Sequence, residues 1–430
     1  MEWLFDDVHL LCPADGIDKK GAVWIREGKI YAILSKQESS ELQASWGKES
    51  VQRQVLSFEG HILTPMFSDI LAYVGLPSAL HREDLDTLSA AARAGGFGHI
   101  AIGPHDGQAY DSLNSVGYMI SKLVDYPNIR LIASLTRDGS ILCELGRFIE
   151  SGVCGFFQGP IRDTTVFRRA LQYARPYGMP VIVRPVDADL EDVGTMHEGL
   201  VSNRIGLRGI STASEEVGLS RLIALVRDSG CPVHCSQISS AQGVRQLARA
   251  KEEGLPITGG VAARSLLLDE HYIEENSYNS FGHLRPPLRT KEDREALVEG
   301  VLDGTIDSVF ADHQSCSSVE KECEFALSVP GALGLETAVS ATFTAIKDPT
   351  RWVQSLQYTS SIVGGEQRLR KGETASFVLF NPKITWRPKP PYQSRGRNEP
   401  LESQILQGRV VGSFQDGNWT YTLSNDSVII

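Results

Sequence analysis

Eight apolar, strand-like runs follow one another after residue 60, and helix-patterned segments separate several of them. The runs are 62–69, 98–102, 130–134, 153–157, 180–184, 232–238, 256–261 and 308–312. Between them, Val166, Phe167, Ala170, Leu171 and Ala174 recur at helical spacing, as do Leu219, Leu222, Ile223 and Val226. Strand-helix alternation over this length predicts a parallel (β/α)8 barrel of the TIM type, with a doubly wound sheet as the fallback.

The two ends of the chain are patterned differently. "AVWIREGKIYAIL" (22–34) reads as two short strands turning at Glu27-Gly28-Lys29, where glycine supplies a positive φ. "ASFVLFNP" and "GRVVGSFQDGNWTYTL" read as further strands, with a second hairpin at Asp416-Gly417. The economical arrangement pairs both termini into a small β-sandwich beside the barrel. The expected parts are therefore 1–60 and 366–430 for the sandwich and 61–365 for the barrel. The Pro/Arg-rich stretch "WRPKPPYQSRGRNEP" (386–400) is expected to be a solvated loop of that second domain. The sequence shows no internal repeat.

With 430 residues and 41% apolar content, the chain can bury a large core. Its net charge of -11 is spread along the sequence without a dense basic block, which argues against a nucleic-acid surface. There is no basic-then-apolar leader, and no apolar run reaches about 18 residues. Neither secretion nor a membrane span is expected. Seven cysteines (Cys12, Cys143, Cys154, Cys231, Cys235, Cys316, Cys323), an odd number without CxxC spacing, suit reduced thiols in the cytoplasm.

Several stretches, in this order, resemble the dihydroorotase branch of the amidohydrolase superfamily. They include "REGKIYAI", "ARAGGFGHIAIGP", "FRRALQYARPYGMPVIV", "SEEVGLSRLIALVRDSGCPVHCSQISS", "RPPLRTKEDREALVEGVLDGTIDSVFADH", "LRKGETASFVLFNP" and "SRGRNEPL". The resemblance spans nearly the whole chain. It implies a barrel with a composite sandwich, and zinc-assisted hydrolysis of a cyclic amide in pyrimidine synthesis. Such chemistry needs His or carboxylate ligands at the C-terminal face of the barrel, a carboxylate to shuttle the proton and a cation for the substrate carboxylate.

Position by position, the resemblance places other residues there. The first family strand ends in His-x-His followed by a substrate-binding Arg; Leu71, Tyr73 and Gly75 match those places. The metal-bridging turn after the fourth strand matches "FFQGPIRD", with Gln158 and Gly159. The His of the fifth strand corresponds to Arg184, that of the sixth to Gln237, and the substrate Asn to Arg285. Arginine, a permanent cation, repels zinc. Asp312 keeps the identity of the family's catalytic Asp, and His313 follows it. Left without a metal, Asp312 is expected to form an ion pair with Arg184 or Arg285.

Outside those positions, His105 and Asp106 offer a residual ligand contact, His234 reads as a satisfied core histidine, and Arg289 as a structural salt-bridge partner. Adjacent strand residues face opposite ways, so His234 and Cys235 cannot reach one centre. His283, just before Arg285, also has ligand chemistry, without diagnostic spacing.

Three functions remain open. The first is a non-catalytic dihydroorotase homologue that partners the catalytic subunit of aspartate transcarbamoylase and holds no metal. The second is a hydantoinase- or dihydroorotase-like hydrolase with zinc in a rearranged site around Asp312, His105 and His234. The third is a metal-free pocket of His105, Arg184, Arg285, Asp312 and His313 that holds an anion. A homodimer or larger complex is the default assembly.

Overall fold

In the computed structural model, residues 1–46, 53–105, 109–191, 194–364 and 368–423 are described. All eight expected runs carry barrel strands: β1 Phe67–Ala72, β2 Phe97–Ile102, β3 Ile129–Ser134, β4 Gly155–Gln158, β5 Val181–Val183, β6 Val233–Cys235, β7 Ile257–Ala262 and β8 Ser308–Phe310. They lie in sequence order in one sheet, and every paired neighbour is parallel.

The ends of that sheet meet. The Ala311 N–H donates to the Asp69 carboxylate at 2.6 Å, and the Tyr73 N–H donates to the His313 carbonyl at 2.9 Å. Ile70, Ala101, Ile132, Ile182 and Phe310, one from each of five strands, form an apolar cluster of their own, the filled interior of the barrel. Ile362 and Val363 from the helix Ser360–Val363 join it, and the Thr359 hydroxyl ties that helix to the Ser68 carbonyl at the start of β1.

The helical faces read from the sequence pack as expected. Phe167, Ala170, Leu171 and Ala174 are buried on the helix Thr164–Ala174, and Leu219, Leu222 and Val226 on Ala213–Ser229. Strand burial follows from both faces being covered, which is why these strands read as continuous apolar runs rather than alternating ones.

Both termini enter a second, eight-stranded sheet. Its order is 418–422, 406–415, 377–386, 62–65, 2–12, 17–26 and 29–34, with 53–57 also paired to 2–12. Glu27 and Gly28 take φ of 52° and 74°, and Asp416 and Gly417 take 52° and 80°. Two successive positive φ values are what a two-residue hairpin turn of the I′ kind requires. Phe5 lies 5.2 Å from Phe414 and 5.5 Å from Trp419, ring centre to ring centre. Those partners are three and four strands away, so a flat sheet with strands about 4.8 Å apart could not bring them together. The sheet is folded over, and the expected sandwich is one continuous sheet closed on its own aromatic core.

Two expectations change. The run 62–69 is two strands, because Ile62–Pro65 pairs with 2–12 and 377–386 in the terminal sheet while Phe67 begins the barrel. An uninterrupted apolar run cannot reveal that it serves two sheets. The stretch 386–400 is also not a solvated connector at its C-terminal end. Ser394, Asn398, Glu399, Pro400 and Leu401 are buried against the barrel loops. Asn398 is 1% exposed; it donates to the carbonyls of Gln314 and Gly331 and accepts from the Cys316 N–H. Its polar groups are satisfied by loop backbone, a partnership composition does not disclose.

All seven cysteines are free, six buried and Cys323 exposed. Among the described residues, no helix is long and apolar enough to cross a membrane.

Candidate active-site cavity at the barrel mouth

The C-terminal ends of the barrel strands surround a cavity of about 570 Å³. This is the end of the barrel where side chains from several strands can converge. Leu71 is the penultimate residue of β1, and Gln158 closes β4. Arg184 directly follows β5, while Gln237 and Asp312 each lie two residues beyond β6 and β8. With Tyr73, all of them line the cavity, and so do His105, Arg285 and His313.

Three of these residues hold a left-handed backbone although none is glycine. Leu71 has φ 58°, Gln237 60° and Asp312 48°. Such conformations cost about 1–3 kcal/mol each and persist where the surroundings over-determine them, commonly at functional sites. Leu71 is further fixed by a close neighbour: a Cβ at Gly103 would stand 2.7 Å from its Cδ2.

Tyr73 is 4% exposed, and its ring centre lies 4.6 Å from that of His105. The Arg82 guanidinium sits 5.9 Å from the Tyr73 ring and pairs with Glu320. Asp106 lies outside the described residues.

The charged groups are divided into two sets. Arg264, two residues beyond β7, pairs with the Asp312 carboxylate and donates to the carbonyls of Ala311 and Asp312. Gln237 Nε2 donates to the other Asp312 oxygen at 2.7 Å. This corrects the expected partner of Asp312: Arg264 extends from the neighbouring strand, whereas Arg184 stands three strands away. Arg184 pairs instead with Glu191, and Arg285 Nη1 lies 3.8 Å from the second Glu191 oxygen. Glu191, on the short helix Ala188–Glu191, has a side chain only 6% exposed.

His313 borders the cavity but its nitrogens are committed. Nδ1 faces the N–H groups of Gly334 and Leu335 at 3.3 and 3.4 Å, so it accepts there and Nε2 carries the proton. That proton points at Glu83, 3.2 Å away. Burial alone would raise the Glu83 carboxyl, but the hydrogen bond from His313, with bonds from Ser394 and Thr87, holds it below the ordinary carboxylate range. Ser394 belongs to the stretch packed across the loops, so that stretch helps to fix the β8 side of the mouth.

Other sequence candidates lie elsewhere. His234 is buried below the mouth, 2.9 Å from the Thr258 hydroxyl and 3.2 Å from that of Ser308. Burial, then Lys251, pushes it down to about 4, a satisfied neutral core histidine. His283 bonds to Ser328 at 3.0 Å and stacks on Phe325. Cys235 is fully buried, which pushes its thiol up. Arg289 is buried on the Ile210 carbonyl and His197 Nδ1. Among the described residues, no three His, Cys, Asp or Glu side chains are grouped as they would be to hold a metal ion.

No family model matches the chain. A dihydroorotase of Anaeromyxobacter dehalogenans (strain 2CP-C) is 31% identical over 422 residues, covering 95% of this chain and 95% of that protein. The chain belongs to the dihydroorotase family. Another relative of this dihydroorotase-family chain, a "Dihydroorotase-like protein" of Pseudomonas aeruginosa (strain PAO1), is 30% identical over 425 residues, 96% of this chain and 98% of that one. The crystal structure of a D-hydantoinase superposes with a TM-score of 0.80 at 18% identity, covering 98% of this chain and 95% of that chain. That likeness shows a shared amidohydrolase fold.

Glu191 and Arg264 are the residues that sequence reasoning missed. Neither sits in a motif; each is defined by which strand end faces it.

Proposed function

We propose that this dihydroorotase-family protein of pyrimidine metabolism works without a zinc centre, as a non-catalytic partner of the aspartate transcarbamoylase catalytic subunit. The observation that carries the reading is the donor set of the mouth. Zinc is held by Cys, His and carboxylate side chains, and the strand ends here present Leu71, Tyr73, Gln158, Arg184 and Gln237. The one retained carboxylate, Asp312, is neutralised by Arg264. A divalent cation does not fit among these groups, and Arg184 would repel it.

A general base also needs a nucleophile to deprotonate, and each Asp312 carboxylate oxygen already accepts a hydrogen bond, one from Gln237 and one from Arg264. The intact barrel, with strained backbone kept at three strand ends, supports a role for the scaffold itself. Partnership with the transcarbamoylase rests on family resemblance.

The test is purification without chelators, followed by metal analysis, a dihydroorotase assay and co-purification with the catalytic subunit. Metal-free, inactive protein that comigrates with the subunit supports the proposal. Stoichiometric metal with hydrolysis of dihydroorotate or a hydantoin would replace it with a metal-dependent hydrolase. Inactive protein that ignores the subunit would overturn the partnership.

A further inference from the structure

We propose that a cavity at the floor of the barrel binds a small phosphorylated sugar, with Arg351 and Ser360 on the phosphate and Tyr358 against the sugar. The site lies at the opposite end from the mouth and stands whether or not the mouth holds a metal.

The cavity measures about 490 Å³. Asp307, directly before β8, lines it together with Pro13, from the turn that follows strand 2–12 of the terminal sheet. Arg351 and Gln357, on the helix Pro349–Gln357, with Tyr358 and Ser360 just after it, complete the wall. The filled interior of the barrel lies between this floor and the mouth.

Arg351 supplies the charge that recognises an anion. Its Nε and Nη2 both donate to the Val301 carbonyl, at 3.0 and 2.6 Å, and Nη1 donates to Gln354 Oε1 at 3.1 Å. Each terminal guanidinium nitrogen carries a pair of N–H groups, so Nη1 and Nη2 both keep an N–H for a ligand. Among the described residues no carboxylate pairs with this guanidinium, whereas Asp307, the acid of the same wall, is matched by Lys251 at 2.7 Å. A cation without a counter-ion, held in one orientation by backbone, is a preorganised partner for phosphate.

The rest of the wall selects more than a bare anion. The half-buried Ser360 hydroxyl makes no hydrogen bond among the described residues and adds another donor for the phosphate oxygens. Gln357 is oriented by donating from Nε2 to the Pro65 carbonyl at 3.1 Å, which leaves Oε1 to accept from a sugar hydroxyl. Tyr358 is half-buried, and its ring is stacked on that of His234, with centres 6.1 Å apart and planes at 26°. A ring fixed in this way, beside Pro13, offers an apolar surface to the C–H face of a sugar. The volume exceeds what phosphate alone fills and suits a pentose phosphate.

Calorimetric titration of the full chain with ribose-5-phosphate, ribose and inorganic phosphate tests this. The phosphate ester should bind saturably and at least about tenfold tighter than either of its fragments. Ser360→Ala removes a hydroxyl without a protein partner, so it should leave the melting temperature unchanged and weaken the ester about fivefold. Arg351→Gln should weaken it about tenfold or more. Because Arg351 also holds the Val301 carbonyl, Ser360→Ala carries the test if Arg351→Gln loses stability. No saturable binding of the ester, equal binding of ribose or of inorganic phosphate, or unchanged affinity in either folded variant would overturn the proposal.

Discussion

Leu71 holds φ 58° at a strand end where its side chain packs beside Gly103 and borders the cavity. With Tyr73 it fills, by apolar bulk and an aromatic ring, volume that two imidazoles would leave partly empty. Replacing both, Leu71→His with Tyr73→His, should therefore lower stability by about 2–4 kcal/mol and give no hydrolysis. Denaturant unfolding and a dihydroorotase assay check this; measurable turnover at unchanged midpoint contradicts it. At the neighbouring charge pair, Arg264→Met removes the cation paired with Asp312 together with bonds to two carbonyls. Leaving that carboxylate uncompensated should cost about 3–5 kcal/mol by the same unfolding measurement.

Asp69, fully buried and with Oδ2 unpartnered among the described residues, gives a pH signature. Burial, with the charge of Asp312 adding to it, outweighs the Ala311 N–H and Arg264 and raises its carboxyl from 3.8 to about 8. The unfolded chain releases this proton first, so between those values the native state holds more protons than the unfolded one. Stability contributed here is full at low pH and falls as pH rises toward 8. Asp69→Asn should flatten that decline in stability-against-pH curves from pH 5 to 8; an unchanged slope would show that Asp69 is already ionised.

At the scale of elements, the eight barrel strands were legible because each is buried on both faces and so appears as an apolar run. The two hairpins were legible because each turn, at Glu27-Gly28 and Asp416-Gly417, carries a glycine, which takes a positive φ at no steric cost. The division of 62–69 between two sheets was not, since strand pairing is chosen by distant partners at 2–12 and 377–386. Nor was the docking of 394–401, whose anchors Glu83, Gln314, Gly331 and Cys316 are far away in sequence. Asn398→Ala leaves three loop backbone groups without their partner. It should cost about 2–4 kcal/mol and raise hydrogen exchange in the loops 313–317 and 330–334 before the strands. Exchange unchanged in those loops would mean that the segment only rests on them.

For the whole molecule, the sequence located the candidate site through strand ends, and the structure brings Leu71, Tyr73, Gln158, Arg184, Gln237, Arg285 and Asp312 around one cavity. What remained hidden is the charge network: which cation meets Asp312, and that Glu191 lies beneath two arginines. Ion pairs across a barrel depend on strand adjacency and side-chain reach, neither of which is written in local pattern. The dihydroorotase-family fold is thus combined with a mouth in which Asp312 meets Arg264 and Glu191 meets Arg184. The most direct measurement is elemental analysis of the chelator-free protein beside a dihydroorotase assay on the same sample. Substoichiometric metal and no turnover are expected; about one tightly held ion per chain, or turnover above background, would contradict the metal-free mouth.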